Sequence, residues 1–404
     1  MLSFIQKPKI LLPKAIPLEK WATVACDQFT SEPKYWEELR SYIGDSLSTI
    51  DFMLPEIDLK GDNSSNVERI RRSNEQFKKS DFNEINSYVL VERAFNTGER
   101  RTGIMVSVDL SAYSYEGDKV FIRSSEATVP ERLPVRVDIR KVSKIELPHT
   151  LLLLDDANQT VIEPVAAYKQ SFEKVYDFEL NMGGGRITGY KIPDYFNIDK
   201  KIYALLNEEL QVSKYGEYAG IALAVGDGNH SIASAYKLWD ESGRPENSPL
   251  RYFLCEIVNL YEGAEFEPIH RYIENPTAEF LQKLQKLSNE TVAPGETGAF
   301  VKTIENNSLH YFGSTLDKAR VYQVVQSFLD SEKENGLKVD YVHSETHLSA
   351  IVADKGGLGI SMPSFPKSAL FPFIIRGENL PKKSFSIGQP EQKRYYLEAR
   401  CINE

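Results

Sequence analysis

The stretch Val225-Gly226-Asp227-Gly228-Asn229-His230-Ser231 decides how this chain is read. It follows the apolar run Ile221-Ala222-Leu223-Ala224, which has the composition of a buried strand. It runs into Ile232-Ala233-Ser234-Ala235-Tyr236-Lys237-Leu238-Trp239, which has the period of an amphipathic helix. A strand that stops at Asp-Gly and restarts as a helix leaves backbone N–H groups at the turn. Those donors, with the positive end of the helix dipole, favour an anion such as a phosphate. Gly228 lets the backbone approach a ligand with no Cβ in the way. His230 stands at the helix mouth as a hydrogen-bonding or proton-transferring group. The same residues also suit an Asn-capped helix after a tight turn, with a structural histidine.

Outward from that turn, the 404 residues exceed what one core usually holds, so two or three lobes are expected. The divisions fall at 1–150, an N-terminal α/β lobe, 151–275, a central lobe carrying the motif, and 276–404, a C-terminal α/β lobe. A net charge of −10 gives poor footing on DNA or RNA, whose binders present a basic face. Cys26, Cys255 and Cys401 are too few and too scattered for a disulfide framework or a zinc cluster. A reducing, cytoplasmic compartment is therefore expected. No apolar run approaches a bilayer span, and the N-terminus has no secretory apolar core, so no membrane partner is expected.

Local patterns set the fold class. Trp21 to Cys26 reads as a strand, and Trp36, Leu39, Tyr42 and Ile43 mark one face of a helix. Tyr88 to Phe95 and Thr102 to Leu110 read as strands joined by the turn Asn96-Thr97-Gly98. Leu151 to Leu154 is interior strand material, as are Tyr176 to Leu180, Ile187 to Ile192 and Arg251 to Leu260. Helices are expected over Thr277 to Leu287 and Leu316 to Leu329, with a lobe boundary or hairpin across 288–313. The sum is a mixed α/β (α+β) protein with mainly mixed or antiparallel sheets.

Five further stretches bear on chemistry. Ile122 to Arg136 packs Arg123, Glu126, Thr128, Glu131, Arg132 and Arg136 together. Arginines grip anions with forked donors, and a nearby carboxylate can serve as a base. A solvated capping turn laced with ion pairs explains the same residues. Asn181 to Arg186 holds Gly183, Gly184 and Gly185, either a phosphate-facing nest or a hairpin turn. Phe266 to Arg271 brings Glu267, His270 and Arg271 close together, again consistent with an ordinary strand edge. The C-terminal run from Gly377, including Lys383 and Arg394, is basic in an acidic protein and suits a segment folded over an anionic ligand or a sheet-closing hairpin. His343 and His347 lie four apart, so one helix would put both on one face. They lack the Glu of the zincin pattern and an evident third ligand.

Several stretches together resemble the bacterial and archaeal family known as domain of unknown function 1015. They are Trp21 to Gln28, Glu126 to Arg132, Asp177 to Gly185, Gly226 to Ser231, Phe266 to Arg271 and Leu380 to Arg400. The central motif is similar to Asp-Gly-His-His-Arg of the ParB/sulfiredoxin-like fold, a superfamily with nucleotide-using members and a free-serine kinase. Asp227, Gly228 and His230 match. Asn229 replaces the first histidine, and Ser231 stands where the arginine would be, which removes a cationic phosphate fork. The motif holds no cysteine, so sulfiredoxin chemistry is excluded. The resemblance implies a ParB/sulfiredoxin-like central unit and a nucleotide-dependent phosphotransferase or phosphohydrolase acting on a small metabolite, with ATP or ADP and Mg2+.

In that reading Asp227, Gly228, Asn229 and Ser231, with Gly184 and Gly185, face phosphate. Arg123, Arg132, Arg271, Lys383 and Arg394 supply positive charge. Asp227 and Glu267 position Mg2+, and Glu126, Glu131, His230 or His270 moves the proton. Two alternatives stand beside it. One is a non-enzymatic binding or sensor protein for an anionic metabolite, and the other is a metal-dependent hydrolase using His343 and His347.

Overall fold

A computed structural model describes residues 4–30, 32–59, 61–116, 120–263, 265–291, 302–304, 318–333 and 335–403. The chain divides into two compact units. One comprises residues 1–264 with 390–404, and the other residues 265–389.

The first unit is built on a ten-stranded mixed sheet. Its strands are β1 (Ile5–Gln6), β2 (Val89–Ala94), β3 (Arg100–Asp109), β4 (Tyr113–Ser114), β5 (Ile122–Ser124), β6 (Leu151–Leu154), β7 (Lys174–Glu179), β8 (Arg186–Lys191), β9 (Leu223–Asp227) and β10 (Tyr252–Asn259). The order across the sheet is β7-β8-β2-β3-β10-β6-β9-β5-β4, with β1 beside β3. Strand β6 runs parallel to β10, and β5 parallel to both β9 and β4. The other pairs are antiparallel, including the β2–β3 hairpin, whose turn places Gly98 at φ +90°.

Two apolar cores cover the two faces. Leu152, Leu154, Val225, Phe253 and Ile257 face one core; Val89, Met105, Leu254, Trp21 and Tyr395 belong to the other. All four leucines of β6 are at most 2% exposed, which is why this run lacks alternation. Each such side chain contributes roughly 1.5–3 kcal/mol on burial.

Helices complete the unit: α1 (Pro33–Ile43), α2 (Ser64–Gln76), α3 (Leu133–Val142) and α4 (Asn229–Glu241). Helix α1 buries Trp36, Leu39 and Ile43, whereas Tyr42 is exposed. The strand expected over Trp21 to Cys26 is shorter. Leu18–Trp21 form one helical turn, and only Thr23–Val24 is extended, paired with Tyr395–Tyr396. The apolar run reflects burial from all sides, since the Trp21 indole is enclosed and donates to Leu397 O at 2.7 Å.

The second unit holds α5 (Ala278–Thr291), α6 (Lys318–Lys333) and α7 (Glu345–Lys355). Its four-stranded antiparallel sheet has the order Lys302–Ile304, Leu358–Ser361, His270–Ile273, Val339–Val342. The break expected across 288–313 falls largely outside the described residues. Helix α7 begins after His343. Ser344 caps it by accepting from His347 N–H, so the two histidines do not share a helix face as the spacing suggested. Among the described residues no three His, Cys, Asp or Glu side chains converge as a metal set. The protein is mixed α/β, and no helix among the described residues is long and apolar enough to cross a membrane.

Candidate functional site: the Asp227–Ser231 turn

Strand β9 ends at Asp227 and α4 starts at Asn229, with only Gly228 between them. Gly228 has φ +78°, a left-handed conformation that favours glycine. A Cβ there would lie 2.5 Å from Thr150 Oγ1 and 2.9 Å from Thr150 Cα. The turn is thus pressed against the residue that leads into β6. It uses two of its own N–H groups internally: Gly228 N–H donates to Asp227 Oδ1 at 2.8 Å, and Ser231 N–H to Gly228 O at 3.0 Å.

A bulge aims Asp227. Pairing with β6 runs Leu223–Leu154, Ala224–Leu153, Val225–Leu152, then skips Gly226 to set Asp227 opposite Leu151. Without the extra residue, Asp227 would share the face of Leu223 and Val225. With it, Asp227 joins the row Leu151, Glu256, Met105 on the other face. There Asp227 Oδ2 meets Lys393 Nζ at 3.0 Å. Lys393 arrives on the C-terminal segment, which re-enters the first unit at Pro390. The next residue, Arg394, is 1% exposed and ion-paired with Glu256 at 2.8 Å and with Glu398. Arg101 donates to Gln392 O at 2.9 Å and Arg93 to Lys393 O at 3.1 Å, so buried guanidiniums fix the segment that carries the lysine.

Three bonds staple the following loop across the turn. Ser124 Oγ donates to Asn229 Oδ1 at 2.6 Å, Ser125 Oγ to Val225 O, and Val129 N–H to His230 Nε2 at 3.2 Å. As an acceptor, Nε2 is unprotonated and the ring proton sits on Nδ1. His230 therefore positions the loop, and Asn229 is engaged as an acceptor. Half-buried Glu126 lies inside this stapled loop, while Glu131 and Arg132 are exposed just beyond it.

The other expected residues distribute as follows. Arg123 is buried in β5, one residue before Ser124. Gly184 and Gly185 lie in the turn between β7 and β8. Gly184 N–H is taken by Asn181 O, and Gly185 O accepts from Leu180. A Cβ on Gly184 would lie 2.6 Å from the Tyr395 hydroxyl, so these glycines serve close packing. Glu267, His270, Arg271 and Lys383 belong to the second unit. His270 is buried, accepts from Met362 N–H at 3.0 Å, and is held down to about 4, chiefly by burial. Arg271 donates to Gln326 at 3.2 Å and lies 4.7 Å from the Tyr341 ring centre. Glu267 sits in a short strand opposite Ser386. The two Asp227 oxygens are occupied by Gly228 N–H and Lys393, which does not fit a resident Mg2+, so no step is routed through a metal.

Lys393 is a site residue that nothing in the sequence sets apart from its neighbour Arg394. Adjacent basic residues look alike in sequence, and only the folded C-terminal segment sends Lys393 to Asp227 and Arg394 to the buried Glu256. Ser124 and Ser125 carry no sequence signal of their role, because a hydroxyl announces no partner.

Fold and turn together define a mixed α/β protein with an Asp-Gly-Asn-His-Ser strand-to-helix turn backed by a C-terminal lysine. The chain belongs to the family described as protein of unknown function (DUF1015), whose model matches residues 11–339. No curated protein matches the chain significantly by sequence. Among solved structures, a conserved hypothetical protein from Pyrococcus furiosus is similar at 11% identity, with 72% of this chain and 90% of that chain covered and a TM-score of 0.36. A free serine kinase in complex with AMP is similar at 12% identity, with 74% and 92% covered and a TM-score of 0.41. A variant of a free serine kinase in complex with ADP gives 12%, 74%, 92% and 0.41. Likeness at that level assigns nothing to this chain's turn.

Proposed function

We propose that the first unit binds the phosphates of a nucleotide at the Asp227–Ser231 turn and transfers a phosphoryl group to a small metabolite or to water. The observation that carries this reading is the convergence of three separate segments on one turn. They are the start of α4, the stapled loop 124–129 with Glu126, and Lys393 from the C-terminal segment. Lys393 supplies the positive charge that Ser231 cannot, at the mouth of a helix whose dipole already favours an anion. Glu126 takes the proton from the acceptor hydroxyl as its oxygen bonds to phosphorus and the bond to the leaving nucleoside phosphate breaks. His230 keeps the loop in place.

Thermal-shift titration with ATP, ADP, AMP and pyrophosphate, each with and without Mg2+, tests the binding step, because a ligand of the folded state alone raises its stability by mass action. No shift at millimolar ligand in any of them sinks the reading. Glu126→Gln then tests the transfer step, with ligand shift retained and turnover lost. A sensor for an anionic metabolite is the second reading. It is favoured by the engagement of His230 Nε2, which leaves that nitrogen no lone pair for catalysis. Ligand binding without phosphate release or transfer decides for the sensor.

A further inference from the structure

The C-terminal segment lies over the large sheet on a set of charges that do not balance. Arg93 and Arg101 stand directly opposite each other on β2 and β3. The segment adds Lys393 and Arg394, and the acids among them are Asp227, Glu256 and Glu398. All of these residues except Asp227 are at most 4% exposed. Lys393 pairs with Asp227 at 3.0 Å, and Arg394 with both glutamates. Arg101 Nε stays 3.6 Å from Glu256 Oε1, on a carboxylate that Arg394 Nη1 already meets at 2.8 Å. Arg93 pairs with no carboxylate among the described residues. Its guanidinium donates to Gly184 O at 2.7 Å and to Lys393 O at 3.1 Å, and it lies against the rings of Phe95 and Tyr395. One positive charge is therefore buried here in excess.

Hydrogen bonding does not make up the difference. Arg93 Nε, Arg101 Nε and Nη2, and both Glu256 oxygens are buried without an aligned hydrogen bond. Burial, reinforced by Arg101, holds Arg93 down to about 9, as befits a charge that its surroundings do not offset. An uncompensated charge and unmade hydrogen bonds both favour a segment that lifts and admits water.

The part free to lift is the part that carries Lys393. From Tyr395 onward the chain is anchored by strand pairing with Thr23–Val24, by Tyr395 Oη on Asn181 O at 2.9 Å and by Arg400 on Glu146 at 2.6 Å. Residues 390–394 rest instead on the two guanidiniums of the unbalanced set, with Arg101 on Gln392 O and Arg93 on Lys393 O, and on one backbone bond from Ala25 N–H to Arg394 O at 3.0 Å. The same stretch meets solvent at its edge, because Asp227 keeps 19% of its side chain exposed. Lys393 Nζ has three protons, and Asp227 takes one of them. An anion seated on the others would add the missing negative charge.

We infer that a phosphate-class oxyanion bound at Lys393 offsets the buried excess and clamps residues 390–394 onto the sheet, so that this strap opens without the anion and closes with it. The inference rests on the proposed function only in placing phosphate at Lys393; the charge imbalance stands without it. The test uses the full chain in inorganic phosphate against chloride at constant ionic strength. Hydrogen exchange of the 390–396 peptide is read relative to α2 of the same unit, which corrects for general stabilisation by phosphate. At phosphate about tenfold above half-saturation, strap exchange should slow by about tenfold, since only the closed strap binds the ion. Lys393→Met leaves three cations with three carboxylates, and the phosphate effect should vanish. Asp227→Asn raises the excess to two charges, and the effect should exceed that of the parent. A merely structural ion pair would weaken the protein in both variants without moving its phosphate dependence in opposite directions. Absence of phosphate protection in the parent, an equal effect in Lys393→Met, or one no larger than the parent's in Asp227→Asn overturns the inference. If Asp227→Asn does not fold, the parent and Lys393→Met decide it. Nucleotide thermal shifts without strap protection by phosphate overturn the clamp and leave the proposed function standing. Strap protection by phosphate in a protein that shows no nucleotide shift upholds the clamp and sinks the nucleotide.

Discussion

Asp227 shares a sheet face with Glu256, not with its own strand neighbour Val225, because the bulge at Gly226 turns it over. Each of these acids then has a cation from consecutive residues of the C-terminal segment, Lys393 for Asp227 and Arg394 for Glu256. The two pairs differ in wetness. The Glu256 pair is wholly buried, while Asp227 keeps 19% of its side chain exposed and Lys393 only 6%.

That asymmetry predicts unequal costs. Asp227→Asn leaves the Lys393 ammonium nearly buried without its counter-ion and should cost roughly 2–4 kcal/mol. Lys393→Met leaves Asp227 its bond from Gly228 N–H and some water, so about 1–2 kcal/mol is expected. The double variant should cost less than the sum by about 1 kcal/mol or more, since the pair is in contact. Urea unfolding of the four proteins measures this, and strict additivity would show that the pair does not interact. Lys393→Met should also abolish any nucleotide-induced thermal shift.

Gly228 offers a second test. Gly228→Ala forces a left-handed φ on a residue with a Cβ and drives that Cβ into Thr150. The combined strain and overlap should cost roughly 2–4 kcal/mol. Thr150→Gly in the same chain removes the Oγ1 contact at 2.5 Å but not the contact with Cα at 2.9 Å, so rescue should be partial. Full rescue by the second change would mean that backbone strain at position 228 is negligible.

Much of this architecture was legible in the residues. The β2–β3 hairpin was marked by Asn96-Thr97-Gly98, and the strand-to-helix turn by its Asp-Gly, because turn chemistry is local. The bulge at Gly226 was not legible, since it exists only against the register of β6. Nor was the partition of roles in Lys393-Arg394, which depends on a segment more than 160 residues away in sequence returning to β9. Gly184 and Gly185 misled for a related reason. A glycine needed for close packing against Tyr395 and one needed to cradle a phosphate are the same letter. The pair His343 and His347 suggested one helix face, but Ser344 between them is a better N-cap than an interior residue.

His230 is expected to act by holding the loop. Gln at this position can still present an acceptor to Val129 N–H, whereas Ala and Leu cannot. His230→Ala should therefore lower stability by only about 1 kcal/mol, the worth of one hydrogen bond at a half-buried site. It should free the 124–132 loop, seen as faster amide exchange at Val129 and as cleavage by a protease at Arg132. His230→Gln should restore most of the protection and most of the ligand-induced shift. If Gln rescues the loop but not turnover, His230 transfers a proton after all and its role must be redrawn.

His270 should make the second unit acid-sensitive in a defined window. Its ring is 3% exposed, and Nδ1 accepts Met362 N–H, a bond that only the form unprotonated at that nitrogen can accept. Burial, reinforced by Arg271 and opposed by Glu345, holds it down to about 4. The unfolded chain has an ordinary histidine near 6.5. Above pH 6.5 neither state carries the proton, and this residue adds no pH dependence. Between about 6.5 and 4 the unfolded state binds a proton that the folded state refuses, so stability falls as pH falls, by up to about 1.4 kcal/mol per pH unit. Below about 4 both states are protonated and the loss from this group stops. His270→Gln can accept the same N–H without titrating. It should be the less stable protein at pH 7.5, by roughly 1 kcal/mol, and should lose that disadvantage or reverse it by pH 4.5. The carboxylates that also titrate there are common to both proteins and cancel in the difference. Unfolding curves across that range decide the matter, and a parent-minus-variant difference that stays flat with pH would show that His270 is not held neutral by the fold.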